Sequence, residues 1–418
     1  MLLRSVAGVA LEYYDFTVFA TFAPFFASQF FVKEDNTAAI LSVLAVFAAG
    51  FLARPLGAVV LGWVADSVGR KRAMITAMLL TAGASLVIGV LPSFEAIGPA
   101  AAVLLTIARI VQGFGHGGES TSAYVFVSEL APPSRRGRYS SLYPIALMLG
   151  IISATLLGAI LTSVLSHDAV SEWGWRIPFL LGGVLGIFAL VLRRSLRDSD
   201  AFEQAQSSHP KISARERWGV VWQHRTGVLR VLGLTAGMTV AYYFWAVNAT
   251  TYAISAKGAD PSHTFWASLA AQAAYLCVLP LWGRFSDRFG RRPNYMIASG
   301  MLAVLAFPLS LLLDSNALQT GIAIGIALCF LASATSVEPA FFSELFPTHV
   351  RATAIALPLA IGIALFGGTA PYLSTWLSSI GKGWLFTVYA IVLALITFTV
   401  ALKSPEVAGK NFESDSTS

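Results

Sequence analysis

A loop motif that occurs twice constrains the fold of this chain more than any other feature. The first copy covers residues 62–72 and the second covers 283–292, with glycine, aspartate, glycine and paired basic residues at the same spacing. A further pair of stretches, 128–136 and 343–351, shares the order Ser-Glu-Leu-x-Pro and a closing arginine. We therefore predict that the chain contains two copies of one helical membrane unit. This arrangement is typical of transporters, whose substrate site lies between the copies.

The composition indicates a protein embedded in a lipid bilayer. Hydrophobic residues make up 56% of the chain and charged residues 12%, compared with roughly 25% charged residues in soluble domains. The mean hydropathy is +0.70. No signal peptide is predicted, because the first apolar segment is too long and lacks a cleavage site of small residues. The net charge of +6 lies mostly in loops near the helix ends, so it does not indicate nucleic-acid binding.

Twelve apolar segments are long enough to cross a bilayer as helices, which takes about 20 residues each. In the first half they lie near 8–32, 39–64, 72–92, 100–128, 138–164 and 175–193. In the second half they lie near 227–255, 264–285, 293–313, 318–343, 351–378 and 384–402. We predict an all-α membrane protein with two pseudo-symmetric six-helix bundles, 1–193 and 227–402, joined by a linker at 194–226 and followed by a short tail at 403–418.

The distribution of basic residues predicts the orientation in the membrane. Arginines and lysines concentrate in the loops at one end of the helices and in the linker, whereas the opposite loops hold only Lys33, Lys257 and Lys382, with Arg176 at a helix start. The positive-inside rule therefore places both termini and the linker in the cytoplasm.

Charged residues inside the first six segments are the strongest functional signal. Such residues are costly in a bilayer and usually functional; here they are Glu12, Asp15, Arg54, Arg109, His116 and Glu119. Gln112 shares a helix face with the charges of segment 4, and Asp15 and Arg54 fall at similar depths, ~10–15 Å from the cytoplasmic boundary. In one interpretation the arginines attract an anionic substrate while a carboxylate or His116 carries a proton. In the other, the charges only neutralise each other and hold helices together.

The second half has far fewer interior charges. Segment 10 contains Glu338, which is either a proton site or close enough to the helix end to be hydrated. In segment 7, Trp245, Asn248 and Tyr252 fall on one face, which favours substrate contact or, alternatively, packing in an aromatic belt. The predicted substrate-binding residues are Tyr13, Tyr14, Arg54, Arg109, Gln112, Trp245, Asn248 and Gln272. The predicted proton-coupling residues are Glu12, Asp15, Arg109, His116 and Glu119.

The repeated loops predict a conformational latch. Asp66 and Asp287 each end a helix, where a carboxylate opposes the negative end of the helix dipole unless a cation compensates it. Nearby basic residues could supply that compensation in one conformation only; alternatively, the loops are simply basic turns that set the topology. The predicted latch residues are Gly62, Asp66, Gly69, Arg70, Glu129, Arg136, Asp287, Arg291, Glu344 and Arg351.

Over essentially its whole length the chain resembles the major facilitator superfamily, through loop 62–72 and its repeat. More narrowly, it resembles the metabolite:proton symporter family through residues 11–16, 51–57, 109–113 with 117–119, 173–179, and 366–371. The resemblance implies two six-helix bundles, substrate entry between helices 1, 4, 7 and 10, and a link between Arg109 and proton coupling. It implies proton-driven uptake into bacteria of organic acids (α-ketoglutarate, citrate, shikimate) or compatible solutes (proline, betaine).

Two departures from that family are visible. Its members usually begin with a hydrophilic stretch before helix 1, whereas here only residues 1–8 precede it, which suggests a truncated N-terminus. The osmosensing branch ends in a charged coiled-coil tail, and the tail of this chain has no heptad pattern. Neither His116 nor Glu338 belongs to the family pattern, so their roles stay open.

The sequence thus predicts a bacterial inner-membrane symporter that imports a small organic acid anion (a di- or tricarboxylate, or an α-ketoglutarate-like acid) with protons by alternating access. A proton-coupled symporter of proline or betaine with the same fold is the first alternative, and a membrane receptor or scaffold that does not translocate is the second. An enzyme is not expected, since no nucleophile triad, metal-ligand cluster or phosphate-binding loop is found. No cofactor, metal or nucleic-acid partner is predicted, and a monomer is expected because one chain supplies both halves.

Overall fold

The computed structural model describes residues 2–31, 36–117, 120–194, 219, 222–347 and 351–409. Within these ranges all regular elements are helices. The long helices of the first half are α1 (Leu2–Phe30), α2 (Asn36–Ser67), α3 (Arg70–Val90), α4 (Ala100–His116 and Ser120–Glu129), α5 (Leu142–Val164) and α6 (Arg176–Arg194). Short helical segments lie between them, at Phe94–Ile97, Pro133–Arg135, Arg136–Ser140, His167–Ala169 and Val170–Gly174. The long helices of the second half are α7 (Arg225–Tyr242, Tyr243–Asn248 and Ala249–Lys257), α8 (Pro261–Phe289), α9 (Arg291–Leu312), α10 (Ala317–Thr335 and Glu338–Glu344), α11 (Arg351–Gly362, Ile363–Gly367 and Ala370–Ser379) and α12 (Gly383–Lys403).

The predicted all-α, twelve-helix fold is confirmed. In the described part of the chain, nine helices are long and apolar enough to cross a membrane, and α6 with the preceding turn His167–Gly174 forms a tenth span bent by 41°. The remaining two are α1, which carries two carboxylates, and α4, whose first piece is 17 residues long. The sequence predicted one helix over 100–128. Instead the first piece ends at His116, in a glycine-rich stretch that has low helix propensity.

The linker predicted at 194–226 and the tail predicted at 403–418 fall largely outside the described residues. Among the described residues, the two halves meet mainly through α1 against α7, α2 against α11, α5 against α8, and α4 against both α10 and α11. Each pair takes one helix from each half, so the interface follows the internal repeat. The end of the bundle that carries Arg72, Arg136, Arg291 and Arg351 is called the basic end below.

Glycines set how closely α2 and α4 approach each other. A Cβ atom added to Gly113 would lie 1.9 Å from the carbonyl oxygen of Gly50, and one added to Gly57 would lie 1.9 Å from that of Phe114. Small residues allow helix backbones to touch in this way. Gly150 of α5 meets α1 similarly, since its added Cβ would lie 2.2 Å from the carbonyl oxygen of Ala10. These contacts fix the rotation of each helix, and therefore which side chains face inward.

Two helices of the second half contain π-helical turns, Tyr243–Asn248 in α7 and Ile363–Gly367 in α11. Such turns insert an extra residue into the helical repeat and are frequent at functional sites. In α7 the turn lies where the sequence predicted a substrate-binding face. A count of 100° per residue therefore does not predict correctly on which face of α7 the side chains in and after this turn lie.

Replacing Gly113 with alanine should destabilise the protein strongly, because the new Cβ would collide with backbone rather than with a movable side chain. Overpacking of this kind costs about 1–3 kcal/mol or more, so we expect the melting temperature of purified Gly113→Ala to fall by several degrees. The matched control is Gly83→Ala on α3, whose Cβ would meet no atom within 4 Å. Equal melting temperatures for the two variants would contradict the close contact between α2 and α4.

Candidate functional site

A cavity of about 60 Å³ lies between the two halves and is called the central cavity. Helices α1, α4 and α5 line it on one side and α7, α10 and α11 on the other. Its polar lining is dominated by five tyrosines: Tyr13, Tyr124, Tyr143, Tyr242 and Tyr243. Glu338 is the only ionisable carboxylate among the described residues that line it. A cavity of this size holds a few water molecules, so it suits a small solute.

Contacts join the two halves on both sides of the central cavity, at each end of the bundle. At the basic end Arg136 of the first half forms an ion pair of 2.8 Å with Glu344 of the second half. At the opposite end, the Ser163 hydroxyl lies 2.8 Å from that of Ser262 and accepts a hydrogen bond from the Trp266 indole at 3.1 Å.

A buried chain of hydrogen bonds runs through the first half and joins α1, α3 and α4. Asp15 accepts hydrogen bonds from Ser85 and, at 2.5 Å, from the Gln112 amide. The Gln112 carbonyl oxygen accepts from Arg109, and Arg109 also donates to the carbonyl oxygen of Phe16 at 3.3 Å. Arg109, Gln112 and Ser85 are all fully buried. The charges of Asp15 and Arg109 are therefore linked through Gln112.

Arg109 lies inside the first half and does not line the central cavity. Its guanidinium carbon is 4.0 Å from the centre of the Phe16 ring and 4.4 Å from that of Phe19. Cation–π contacts of this kind stabilise a desolvated arginine. The structure thus places Arg109 and Gln112 next to Asp15 and away from the central cavity. The role of Arg109 in proton coupling stays a prediction, and neither residue lies where it could contact a substrate in that cavity.

His116 lies between two carboxylates. Its Nδ1 atom is 3.5 Å from Glu12 and its Nε2 atom is 3.6 Å from Asp15. The three side chains line a second cavity of about 40 Å³ inside the first half, next to Thr81 and Gly182. Three groups that can exchange protons are therefore adjacent in one polar pocket. Glu119, the remaining proton-coupling candidate, lies outside the described residues.

Arg54 lies directly behind the wall of the central cavity. Its guanidinium carbon is 4.1 Å from the ring centre of Phe16 and 4.7 Å from that of Phe51. Tyr13 and Tyr243, which line the cavity, are its electrostatic neighbours. Among the described residues, neither Nε nor Nη2 of Arg54 has a hydrogen-bond partner. Two buried donors of a cation are thus available one side chain away from the cavity.

The other predicted substrate-binding residues are engaged elsewhere. Tyr14 donates a hydrogen bond to the carbonyl oxygen of Pro178, at 2.8 Å. Asn248 donates to Ser374 at 3.1 Å, Gln272 donates to the carbonyl oxygen of Ala246 at 3.3 Å, and Trp245 packs against neighbouring aromatic rings. None of the four is among the lining residues of the central cavity.

Tyr13 is thus the one residue of the predicted substrate set that lines the central cavity. The sequence analysis missed Tyr124, Tyr143, Tyr242 and Tyr243 as cavity residues and left the role of Glu338 open. One sequence signal could have identified Glu338. It is a carboxylate followed directly by Pro339 within an apolar segment, and proline interrupts helices; in the structure α10 is broken between Thr335 and Glu338. The tyrosines carry no comparable signal, since tyrosine also occurs at helix interfaces.

The basic end contains a network that spans both halves. The Asp287 carboxylate accepts hydrogen bonds from the backbone N–H groups of Gly137, at 2.7 Å, and Arg138, at 3.2 Å. Arg291 lies 3.1 Å from Asp287 and 3.0 Å from Glu344, and Glu344 also pairs with Arg136 of the first half. The structure therefore brings together Asp287, Arg291, Glu344 and Arg136, four of the predicted latch residues; their role as a latch stays a prediction.

A second contact between the halves lies beside this network. Arg351 pairs with Glu129 at 2.9 Å, and the Ser128 hydroxyl donates to that of Ser343 at 2.7 Å. Burial lowers the pKa of Arg351, and the Glu129 carboxylate opposes that shift. Both pairs join a residue of the stretch 128–136 to a residue of 343–351, the stretch that corresponds to it in the internal repeat. The contact is thus pseudo-symmetric.

The remaining latch residues lie in the two repeated loops. The side chains of Asp66 and Arg70 lie outside the described residues. Gly69 and Gly290 have φ angles of 113° and 103°, a region that favours glycine. A Cβ atom added to Gly62 would meet no atom within 4 Å.

In the second loop the tail residue Glu406 accepts hydrogen bonds from the backbone N–H groups of Arg291 and Arg292, and so caps the start of α9.

Comparison with known proteins gives matches over nearly the whole chain. The model of the family described as "Sugar (and other) transporter" matches residues 1–216 and 199–417. The alpha-ketoglutarate permease of Escherichia coli K12 is 34% identical, covering 95% of this chain and 91% of that protein. A citrate-proton symporter of Klebsiella pneumoniae is 33% identical (90% and 84% covered), and a proline/betaine transporter of Salmonella typhimurium is 30% identical (96% and 82% covered).

Among solved structures, the partially occluded inward-open xylose transporter XylE of Escherichia coli aligns with a TM-score of 0.72. The alignment covers 98% of both chains at 19% sequence identity. At that identity the likeness concerns the fold alone.

Removing the Glu344 carboxylate should open the basic end. Charge-assisted hydrogen bonds contribute about 1.5–3 kcal/mol each, so Glu344→Gln should raise the open fraction roughly 10-fold or more. The reporter is Ser128→Cys in a chain with Cys277 and Cys329 replaced by alanine, and the measurement is its rate of modification by a maleimide. The matched control is Glu172→Gln, an exposed residue at the opposite end. Equal rates in the two variants would contradict the latch.

Proposed function

Since this chain belongs to the sugar (and other) transporter family of the major facilitator superfamily, we propose that it imports a small organic acid anion together with protons. The chain is a multi-pass membrane transporter, and its citrate-proton symporter relatives support proton coupling. Relatives with these matches are transporters, so the chain is not an enzyme.

The observation that carries the carboxylate proposal is that Nε and Nη2 of the buried Arg54 have no hydrogen-bond partner among the described residues. A buried cation with two donors that lack partners creates a positive potential in the adjacent cavity, where the low dielectric strengthens it. A carboxylate accepts two parallel N–H bonds from one arginine in a geometry that few other groups match. In the proposed binding step, Tyr13 and Tyr243 move aside and the substrate carboxylate takes the place of the missing partners.

The proposed proton path uses the cluster of Glu12, Asp15 and His116. The Asp15 carboxylate accepts hydrogen bonds from Gln112 and Ser85, and protonation would remove its negative charge. This would weaken those bonds and, through Gln112, the hydrogen bond between Gln112 and Arg109. Because Arg54 and Arg109 both lie against the ring of Phe16, a shift of Arg109 would also change the environment of Arg54. This chain of contacts provides a physical link between proton binding and substrate binding.

The proposed transport cycle opens one end of the central cavity at a time. The latch at the basic end and the Ser163–Ser262 contact at the opposite end are both formed in this structure. We propose that the bodies that move are the bundles 1–193 and 227–402. By the positive-inside rule we place the basic end and both termini in the cytoplasm. We further propose that the chain acts as a monomer in the inner membrane of a bacterial cell.

A second candidate for the substrate is a zwitterionic osmolyte. Relatives at 30% identity are named proline/betaine transporters, and Glu338 provides a negative group in the central cavity. Citrate-like anions and zwitterions share a carboxylate, so the role proposed for Arg54 holds for both classes.

Replacing Arg54 with glutamine should abolish carboxylate recognition. Loss of charge-assisted hydrogen bonds worth about 1.5–3 kcal/mol corresponds to a fall in uptake rate at low substrate concentration of roughly 10- to 150-fold. The measurement is initial uptake of labelled substrate into proteoliposomes under an inward proton gradient. Arg225→Gln, which removes an exposed arginine, is the control and should leave uptake unchanged. Uptake by Arg54→Gln equal to that of the control would contradict the role of Arg54.

A further inference from the structure

We propose that Glu338 binds a proton together with a dicarboxylate substrate in the central cavity, and so makes the affinity for dicarboxylates, but not for monocarboxylates, depend on its protonation. The inference rests on the proposed function, because the first carboxylate of the substrate would be held at Arg54. It adds a proton bound beside the substrate, in the second half, to the proton exchange proposed for Glu12, Asp15 and His116 in the first half.

The Glu338 carboxylate is a negative group without a cationic partner. Among the described residues, no basic side chain forms an ion pair with Glu338 or lines the central cavity. The Tyr124 hydroxyl donates a hydrogen bond to this carboxylate at 3.3 Å. Tyrosine is neutral near pH 7, so the ionisable groups that face Glu338 from other helices do not balance its charge. Besides Tyr124 of α4, these are Tyr143 of α5, Tyr242 of α7, Tyr275 of α8 and Tyr295 of α9.

The positions of Arg54 and Glu338 bring a dicarboxylate close to both. Arg54 lies behind Tyr13 and Tyr243, on the side of α1, α2 and α7, whereas Glu338 lies on α10. A substrate with one carboxylate at Arg54 would direct the other towards Glu338, in a cavity of about 60 Å³. Two carboxylates that share such a site do not both ionise readily, and one of them retains a proton.

A single proton resolves this repulsion. It comes from the water that enters the cavity with the substrate, and it forms an O–H bond on the Glu338 carboxylate. The protonated Glu338 then donates a hydrogen bond to the second carboxylate of the substrate, and no bond within the substrate changes. A monocarboxylate has no group to accept this hydrogen bond, so its binding does not require the proton.

The last piece of α10 connects this proton site to the basic end. Glu338 begins that piece and Glu344 ends it, which places the two residues ~9 Å apart along the helix. The piece packs against the second piece of α4, which carries Tyr124. Opening of the basic end would therefore separate Glu338 from Tyr124 and hydrate it, so that the proton leaves with the substrate. The arginines at this end are each already paired with a glutamate: Arg136, Arg291 and Arg351.

The test compares two acids of the same chain length that differ in the second carboxylate. α-Ketoglutarate has two carboxylates, and 2-oxopentanoate has a methyl group in place of the second. Binding to the purified protein is measured by titration calorimetry between about pH 6 and about pH 8, where both acids are ionised. Buffers of different ionisation enthalpy give the number of protons taken up with each ligand. Where Glu338 is ionised in the free protein, Kd for α-ketoglutarate should rise roughly 10-fold per pH unit, and that for 2-oxopentanoate much less.

The variant Glu338→Gln keeps the size of the side chain and cannot exchange a proton. It should take up about one proton fewer per bound α-ketoglutarate than the unmodified chain, since one carboxylate binds one proton. Its Kd for α-ketoglutarate should then vary with pH as weakly as that for 2-oxopentanoate. Glu338→Asp should retain the proton uptake. The matched control is Glu172→Gln, an exposed residue at the opposite end, and melting temperatures show whether each variant is folded.

The outcomes separate this inference from the proposed function. Equal proton uptake by Glu338→Gln and the unmodified chain on binding α-ketoglutarate would overturn the proton site at Glu338. The same pH dependence for α-ketoglutarate and 2-oxopentanoate would also overturn it, because the second carboxylate would then not meet Glu338. In either case, proton-driven uptake of α-ketoglutarate into proteoliposomes would leave the proposed function intact. Failure of α-ketoglutarate, citrate and 2-oxopentanoate all to enter under a proton gradient would contradict the proposed function and this inference with it.

Discussion

The hydrogen-bonded pair of opposite charges inside the first half, Asp15 and Arg109 joined through Gln112, determines much of this structure. An isolated charge in this position would cost several kcal/mol, so each group must be satisfied by its neighbours. Ser85, Gln112 and the carbonyl oxygen of Phe16 provide the hydrogen bonds, and phenylalanine rings surround the guanidinium. Because these partners belong to α1, α3 and α4, a change in the charge of Asp15 acts on three helices at once.

The two halves share a fold and differ in the chemistry of their interiors. The first half contains Glu12, Asp15, Arg54, Arg109 and His116, whereas the cavity wall of the second half offers tyrosines and Glu338. The two halves do share one feature, the ion pairs at the basic end. Arg136 and Arg351 occupy equivalent positions in the repeat, and each pairs with a glutamate of the opposite half. The proposed roles therefore divide between the halves: proton binding in the first half, part of the substrate site in the second, and a closing contact to which both contribute.

The sequence could predict the helices, their number and the charged positions, because hydropathy and charge directly reflect the cost of burial in a bilayer. It could not predict which residues line the central cavity. Helical periodicity gives angles between residues of one helix, whereas the rotation of each helix is set by contacts such as Gly113 against Gly50. Arg109 therefore points into the first half rather than towards the cavity. In α7 the π-helical turn changes the periodicity itself, so Trp245 and Asn248 lie away from the cavity lining.

The measurement that tests the central claim most directly compares two kinds of flux in an Asp15→Asn variant reconstituted into proteoliposomes. One is protonophore-sensitive accumulation under an inward proton gradient, and the other is exchange of internal for external substrate without a gradient. If Asp15 links proton binding to substrate binding, the variant should lose accumulation and keep exchange. Accumulation at the rate of the unmodified chain, still abolished by the protonophore, would contradict the account.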